Sequence, residues 1–172
     1  MGRDFKRSFS ALMVLIGIGV FLLPYHADAQ KGTASTKASA ETLERGRYLV
    51  KIAGCNDCHT QGYIESESAV PEKQWLKGSP LGWRGPWGTT YAWNLRRFLS
   101  ALPEEQWLNF ARATKSRPPM PWWTLKEMKR EDLRAIHTFI RHLGPEGEDA
   151  PAYLPPDRAP KQPYVQFPAP PK

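Results

Sequence analysis

Apolar side chains recur at the three- and four-residue spacing of an amphipathic helix in three segments of the chain. The first spans 43–53, with Ser39 as the expected N-cap and Gly54 as the stop signal. A short helix is predicted after Pro103, because proline favours the first helical position. The last helix, 131–143, has the clearest stripe, formed by Leu133, Ile136, Ile140 and Leu143.

The remaining segments lack this periodicity. Residues 30–40 are rich in Lys, Thr, Ser and Ala and predict a linker, and residues 145–172 hold more than half of the 17 prolines and predict a disordered or extended tail. Segment 75–94 is dense in Gly, Pro and Trp without strand alternation, so we expect a long structured loop. The predicted fold is therefore a small all-α domain over residues 41–144.

The amino terminus predicts a signal peptide over residues 1–29. Basic residues precede an apolar run at 11–23, and Ala27-Asp28-Ala29 has the small-x-small pattern of a cleavage site. The alternative is an uncleaved anchor, but the run is shorter than the roughly 20 residues of a spanning helix. We expect a mature chain that starts at Gln30, is periplasmic and has no stable membrane span.

Composition narrows the class of protein. The 172 residues carry a net charge of +7 and include seven Trp but only two Cys, which excludes collagen, a coiled coil and a multi-disulfide framework. Something other than disulfide bonds must stabilise so small a core. The basic and aromatic content does not indicate nucleic-acid binding, because export argues against it and no such motif is present.

The strongest motif is Cys55-Asn56-Asp57-Cys58-His59, which is typical of covalent attachment of a c-type haem. Two thiols separated by two residues can form thioethers with the two haem vinyl groups, and the adjacent imidazole is then the proximal iron ligand. Haem c would also supply the apolar mass that the core lacks.

The motif has three alternative interpretations. A thioredoxin-like dithiol normally follows a strand, whereas a helix is predicted before Cys55. A zinc site lacks ligands, since His137 and His142 are five residues apart and do not share a helix face. A structural disulfide between the cysteines is the third. We expect His137 to be a packed histidine on the last helix, and neither it nor His142 to be a ligand.

The sixth iron ligand is expected to be Met120. It lies in Arg117-Pro118-Pro119-Met120-Pro121, where the prolines exclude helix and can present the sulfur in one geometry. The alternative is an exposed proline-rich turn. Met128, just before the last helix with Lys129 as N-cap, is expected to pack locally against Leu133.

Three groups of residues together resemble the class I cytochromes c, especially the monohaem modules of bacterial periplasmic dehydrogenase cytochrome subunits. They are Gly46 to Val50 leading into the Cys55–His59 motif, Gly85 to Gly88 with Tyr91 and Asn94, and Pro119 to Trp122 before the last helix. The resemblance implies that the first helix crosses the last, with close approach at Gly46.

The resemblance also places Tyr91, Trp93 and Asn94 at the haem propionates, where indole and amide groups are suitable donors. After Asn94 this chain departs from the family pattern and has Leu95-Arg96-Arg97. The two arginines are expected either to pair with the propionates or to form a solvated face.

The expected function is one-electron transfer by a periplasmic carrier or small subunit, not enzymatic catalysis, because His/Met ligation leaves no open iron position. The alternative is a haem protein that binds or senses a small molecule through a displaceable distal ligand. The expected partner is a redox protein, either acidic or a dehydrogenase subunit, steered by Lys115, Arg117 and Lys126 around the Met120 segment.

Overall fold

The computed structural model describes the backbone of residues 28–169 and the side chains from Ser39 onward. The predicted signal peptide lies, up to residue 27, outside the described residues. Six α-helices are described: α1 Asp28–Ile52, α2 Cys55–His59, α3 Leu95–Ser100, α4 Glu104–Ala113, α5 Trp122–Glu127 and α6 Arg130–Leu143. A 3₁₀ turn, Glu72–Gln74, and three strands complete the fold: β1 Gly82–Gly85, β2 Gly88–Tyr91 and β3 Tyr164–Gln166.

The three predicted helices are present, with one boundary wrong. α4 and α6 lie where their apolar stripes place them, and α6 ends at Gly144, whose φ of 71° suits a residue without a side chain. α1 begins at Asp28, so Ser39 is inside the helix and is not its N-cap. Residues 30–40, expected to be a linker, are helical, because Lys, Thr, Ser and Ala without an apolar stripe do not prevent a helix.

α1 packs against α6 at the centre of the core, as the resemblance implies. A Cβ atom at Gly46 would overlap the carbonyl oxygen of Ala135 and lie 2.7 Å from Cβ of Phe139. Glycine therefore allows the two backbones to approach closely. The core around this crossing includes the fully buried side chains of Val50, Leu99, Leu133, Phe139 and Ile140.

The prediction of an all-α fold is wrong, because the structure contains a three-stranded mixed sheet. β1 and β2 pair in an antiparallel hairpin inside the segment that was expected to be a loop, with Gly82 opposite Tyr91 and Gly85 opposite Gly88. Strands of four residues that begin or end with glycine are too short to show alternation. Gly88, with φ of 98°, allows the tight turn between them.

The proline-rich tail, predicted to be disordered or extended, contains an extended strand. β3 pairs in parallel with β1, and Trp83 lies opposite Val165. The guanidinium of Arg84 donates to the carbonyl oxygens of Pro156 and Arg158, at 3.0 and 2.8 Å. Because an edge strand pairs on one side only, it tolerates neighbouring prolines, so the tail adds to the sheet.

Arg96 on α3 joins the end of α6, the 3₁₀ turn and the start of the tail. Its buried side chain donates to the carbonyl oxygens of Leu143, of Gly144 at 2.6 Å and of Lys73 at 2.8 Å. It also pairs with Glu146, 3.1 Å away. Arg96 thus satisfies carbonyl groups at the C-terminal end of α6, which would otherwise lack partners.

Candidate functional site

The Cys-x-x-Cys-His motif forms its own short helix, α2, directly after α1. Gly54 makes the turn between them with φ of 69°. Asn56 is fully buried, and its side-chain oxygen accepts a hydrogen bond from the Thr60 hydroxyl at 2.7 Å. That hydroxyl in turn accepts from the backbone of Leu76 at 2.8 Å. One face of α2 is therefore fixed to the core.

Cys55 and Cys58 lie three residues apart on α2, so they share a helix face. Both are half-buried free thiols, and Cys55 packs against the core. The two sulfurs thus stand on one short, fixed element, and no disulfide joins them.

The thiols are not activated for redox chemistry. Burial, with the Asp57 carboxylate as a second cause, raises the pKa of Cys55 to about 12. The same two causes raise the pKa of Cys58. Dithiol oxidoreductases need a lowered thiol pKa, and α2 follows a helix rather than a strand. The site does not fit the thioredoxin-like alternative.

His59 is held in one orientation by two hydrogen bonds. Its Nδ1 lies 2.7 Å from the carbonyl oxygen of Trp93, and its own carbonyl oxygen accepts from Gly78 at 2.8 Å. Burial lowers the pKa of His59, although the Trp93 carbonyl opposes this shift. A neutral ring that donates from Nδ1 keeps the lone pair of Nε2 available for a metal.

The site residues Trp93 and Asn94 have other contacts than those expected. The Trp93 indole is 55% exposed and packs edge-on against Phe98, with ring centroids 5.4 Å apart. Asn94 is buried, and its side-chain oxygen caps α3 by accepting from the backbone of Arg97 at 3.0 Å. Its amide group donates to the carbonyl oxygens of Glu146 and Glu148, at 2.8 and 3.0 Å. Both hydrogens of the Asn94 amide group therefore already have acceptors in the tail.

Tyr91, the third residue that the resemblance places at the propionates, is buried at the end of β2. Its hydroxyl donates to the side-chain oxygen of Gln162 in the tail at 3.3 Å. Burial raises the pKa of Tyr91, against the influence of Arg84. The phenol therefore stays protonated and acts as a donor.

The arginines after Asn94 do not form a simple solvated face. Arg96 is the buried anchor described above, and Arg97 pairs with Asp149 at 2.8 Å. An open cleft of about 370 Å³ lies beside this pair, lined by Trp93, Asn94, Arg97, Phe98, Asp149 and Ala150. Neither cysteine nor Met120 lines it, so this cleft is not the haem cavity that the resemblance implies.

Met120 lies in the non-helical segment 114–121, as the prolines predict. It is half-buried and packs against the core, and its carbonyl oxygen accepts from Trp122 at 2.9 Å. The hydroxyl of Thr90 on β2 donates to Pro118 at 2.6 Å and ties the segment to the sheet. Met128 is also half-buried against the core, just before the N-cap Lys129 of α6.

The two histidines of α6 lie as expected. His137 is buried, and its Nε2 lies 2.9 Å from the carbonyl oxygen of Leu102. His142 is exposed in the last turn. Among the side chains that the structure describes, no group of three or more His, Cys, Asp or Glu could hold a metal ion. The zinc alternative therefore finds no support there.

The residues fit a covalently attached haem on the proximal side. The decisive observation is that a buried, neutral His59 with a free Nε2 directly follows two thiols on the same fixed helix. Cys55 and Cys58 could carry the thioethers, and His59 could bind iron. Met120 and Met128 are the thioether side chains in the described part of the chain that could serve as a second iron ligand.

Comparison with protein-family models, with curated proteins and with solved structures finds no match for this chain. Within residues 28–169, no helix combines the length and the hydropathy needed to cross a membrane.

Sequence reasoning missed the acceptor for His59 and the role of Arg96. Any residue has a carbonyl oxygen, so nothing in the sequence marks Trp93 as the partner of His59, 34 positions earlier. A signal for Arg96 did exist, because Gly144 predicts a helix end whose carbonyl groups need donors.

Proposed function

We propose that the chain is a monohaem c-type cytochrome that transfers one electron at a time. The observation that carries this proposal is the hydrogen bond between His59 and the Trp93 carbonyl oxygen, which leaves Nε2 free beside two thiols on the same short helix. The resemblance to class I cytochromes c and the close α1–α6 crossing that it implies support the proposal.

The chain's own residues have distinct roles in this proposal. Cys55 and Cys58 fix the cofactor to α2, and His59 offers Nε2 to the iron while Trp93 holds the proton on Nδ1. The Met120 thioether would be the other protein ligand of the iron. A bound haem would supply the one-electron chemistry, and with His59 and Met120 both on the iron it would not readily bind substrate. No protein group has to gain or lose a proton during transfer.

The test is spectroelectrochemistry of the purified protein together with carbon monoxide titration. We expect a reversible titration that fits one electron, and a reduced form that does not bind carbon monoxide at neutral pH. Rapid, stoichiometric binding would instead support the alternative, a haem protein that binds or senses a small molecule through displacement of Met120.

Export and partner belong to the same proposal. The chain is made with a signal peptide that is cleaved after Ala29, and it functions in the periplasm, where haem c attachment takes place. Sequencing of the mature amino terminus should give Gln30. Removal of residues 1–29, which carry three basic and two acidic residues, reduces the net charge from +7 to +6, and this positive charge favours an acidic redox partner or an acidic dehydrogenase subunit.

A further inference from the structure

The hydrogen bond from His59 depends on the orientation of a single peptide group. The carbonyl of Trp93 and the N–H of Asn94 belong to the same planar unit, so rotation of that unit moves the acceptor away from Nδ1. On one side this peptide is held by Gly78. A Cβ there would lie 2.9 Å from the nitrogen of Asn94 and 3.2 Å from the carbonyl carbon of Trp93.

The Asn94 side chain is held by the carboxy-terminal tail. Its two amide hydrogens reach the carbonyl oxygens of Glu146 and Glu148, on either side of Gly147. The positive φ of 80° at Gly147 is a conformation that suits glycine. Any bulkier residue there would be strained, and its Cβ would lie 3.4 Å from the Asn94 amide nitrogen.

This tail segment is itself anchored to the domain by charge. The Glu146 carboxylate contacts Lys77 at 2.7 Å and the buried Arg96 at 3.1 Å. These two cations, Lys77 first, lower the pKa of Glu146, so the carboxylate is charged at neutral pH. Asp149 adds the ion pair with Arg97. The segment 145–149 therefore has a fixed position from which it can orient Asn94.

We propose that tail residues 145–149 act as a positioning clamp for the axial histidine, through Asn94 and the Trp93 carbonyl. The effect on iron rests on the proposed function. A hydrogen bond accepted from the non-ligating nitrogen makes a histidine a stronger donor to its metal. Loss of the clamp weakens the hydrogen bond from His59 Nδ1 to the Trp93 carbonyl oxygen. The oxidised iron is then stabilised less, so the midpoint potential of the haem rises.

The test uses Asn94→Ser, because serine keeps an N-cap oxygen for α3 but lacks the two amide hydrogens. Gly147→Ala disturbs the clamp without changing Asn94. Tyr153→Phe is the matched control, since it removes one tail hydrogen bond, to the carbonyl oxygen of Trp87, without a change of charge. All three are compared as full-length purified proteins.

The first measurement is solvent exchange of the His59 Nδ1 proton by NMR. We expect exchange about tenfold faster in Asn94→Ser and in Gly147→Ala, the size expected for one weakened hydrogen bond. Tyr153→Phe should exchange like the wild type. Unchanged exchange in both clamp variants would overturn the proposal.

The second measurement is the haem midpoint potential. If Asn94 had a purely structural role, the two clamp variants would not both shift this potential in the same direction. Both clamp variants should shift it to more positive values, and the control should not. An unchanged or lower potential would overturn the effect on iron. A wild-type protein without haem would refute the proposed function instead, while the exchange measurement would still decide whether the clamp orients His59.

Discussion

Gly46 on α1 lies directly against the carbonyl oxygen of Ala135 on α6, and a Cβ at position 46 would overlap that oxygen. Backbone cannot move aside as a flexible side chain can, so any larger residue must separate the two helices. The same crossing carries much of the core, including Val50 and Phe139. The packing of the whole domain thus depends on the absence of a side chain at one position.

Gly46→Ala should lower the free energy of unfolding by about 3 kcal/mol, at the upper end for overpacked sites. Urea denaturation followed by helical ellipticity measures it. Gly62→Ala is the control, because Gly62 has φ of 76° but open space around it, so only the conformational cost of about 1 kcal/mol applies. A Gly46→Ala protein as stable as Gly62→Ala would contradict the close crossing.

Arg96→Lys should destabilise the protein by about 2 kcal/mol. The guanidinium serves three carbonyl groups and Glu146 from a buried position, and an ammonium group cannot reproduce that planar set of donors. Arg97→Lys is the matched neighbour, whose side chain is 49% exposed and pairs only at the surface with Asp149. Arg97→Lys should lower the free energy of unfolding by less than about 0.5 kcal/mol in the same urea denaturation measurement.

Met120→Ala should abolish the sulfur-to-iron charge-transfer band of the oxidised protein and open the iron to cyanide and carbon monoxide. Met128→Ala should retain the band, because Met128 is the C-cap residue of α5 and packs against the core. Visible spectra of the two variants measure both effects. Loss of the band in Met128→Ala alone would identify Met128, instead of Met120, as the iron ligand.

Lys115, Arg117 and Lys126 should steer docking of the redox partner. Arg117 lies over the Tyr153 ring at 3.9 Å and Lys126 over the Trp122 ring at 4.5 Å, so both cations have defined positions beside the Met120 segment. Reversal of all three to Glu should slow electron transfer at least about tenfold at low salt, and the difference should shrink as salt rises.

The control for this docking surface reverses three exposed lysines elsewhere, Lys73, Lys129 and Lys161, with the same change in net charge. Stopped-flow rates with the native partner compare the two variants. Equal slowing by both sets would mean that only total charge matters. Rates independent of salt in the wild type would remove electrostatic steering altogether.

The sequence predicted those parts of the fold that local pattern determines. The stripe of α6 and the proline before α4 located both helices. The hairpin was missed because four-residue strands rich in glycine show no alternation, and β3 was missed because its pairing with β1 is a long-range contact. The start of α1 was missed because a polar helix without an apolar stripe resembles a linker.

In the candidate site, too, the sequence predicted what local pattern determines and missed what long-range contacts determine. Cys55, Cys58 and His59 were found because their spacing is chemically distinctive. The clamp on Asn94 was not, because its acceptors are backbone carbonyl groups more than 50 residues away. The resemblance suggested Asn94 as a propionate donor, while the structure commits its amide to the tail.

The most direct test of covalent haem attachment is the mass of the intact, denatured protein purified from the periplasm after extraction with acid acetone. We predict the mass of the chain from Gln30 plus one haem, with an alkaline pyridine spectrum of haem c, and loss of both signals when Cys55→Ala and Cys58→Ala are combined. A chain of unmodified mass, with two free thiols or with haem removed by the extraction, would contradict covalent attachment through this motif.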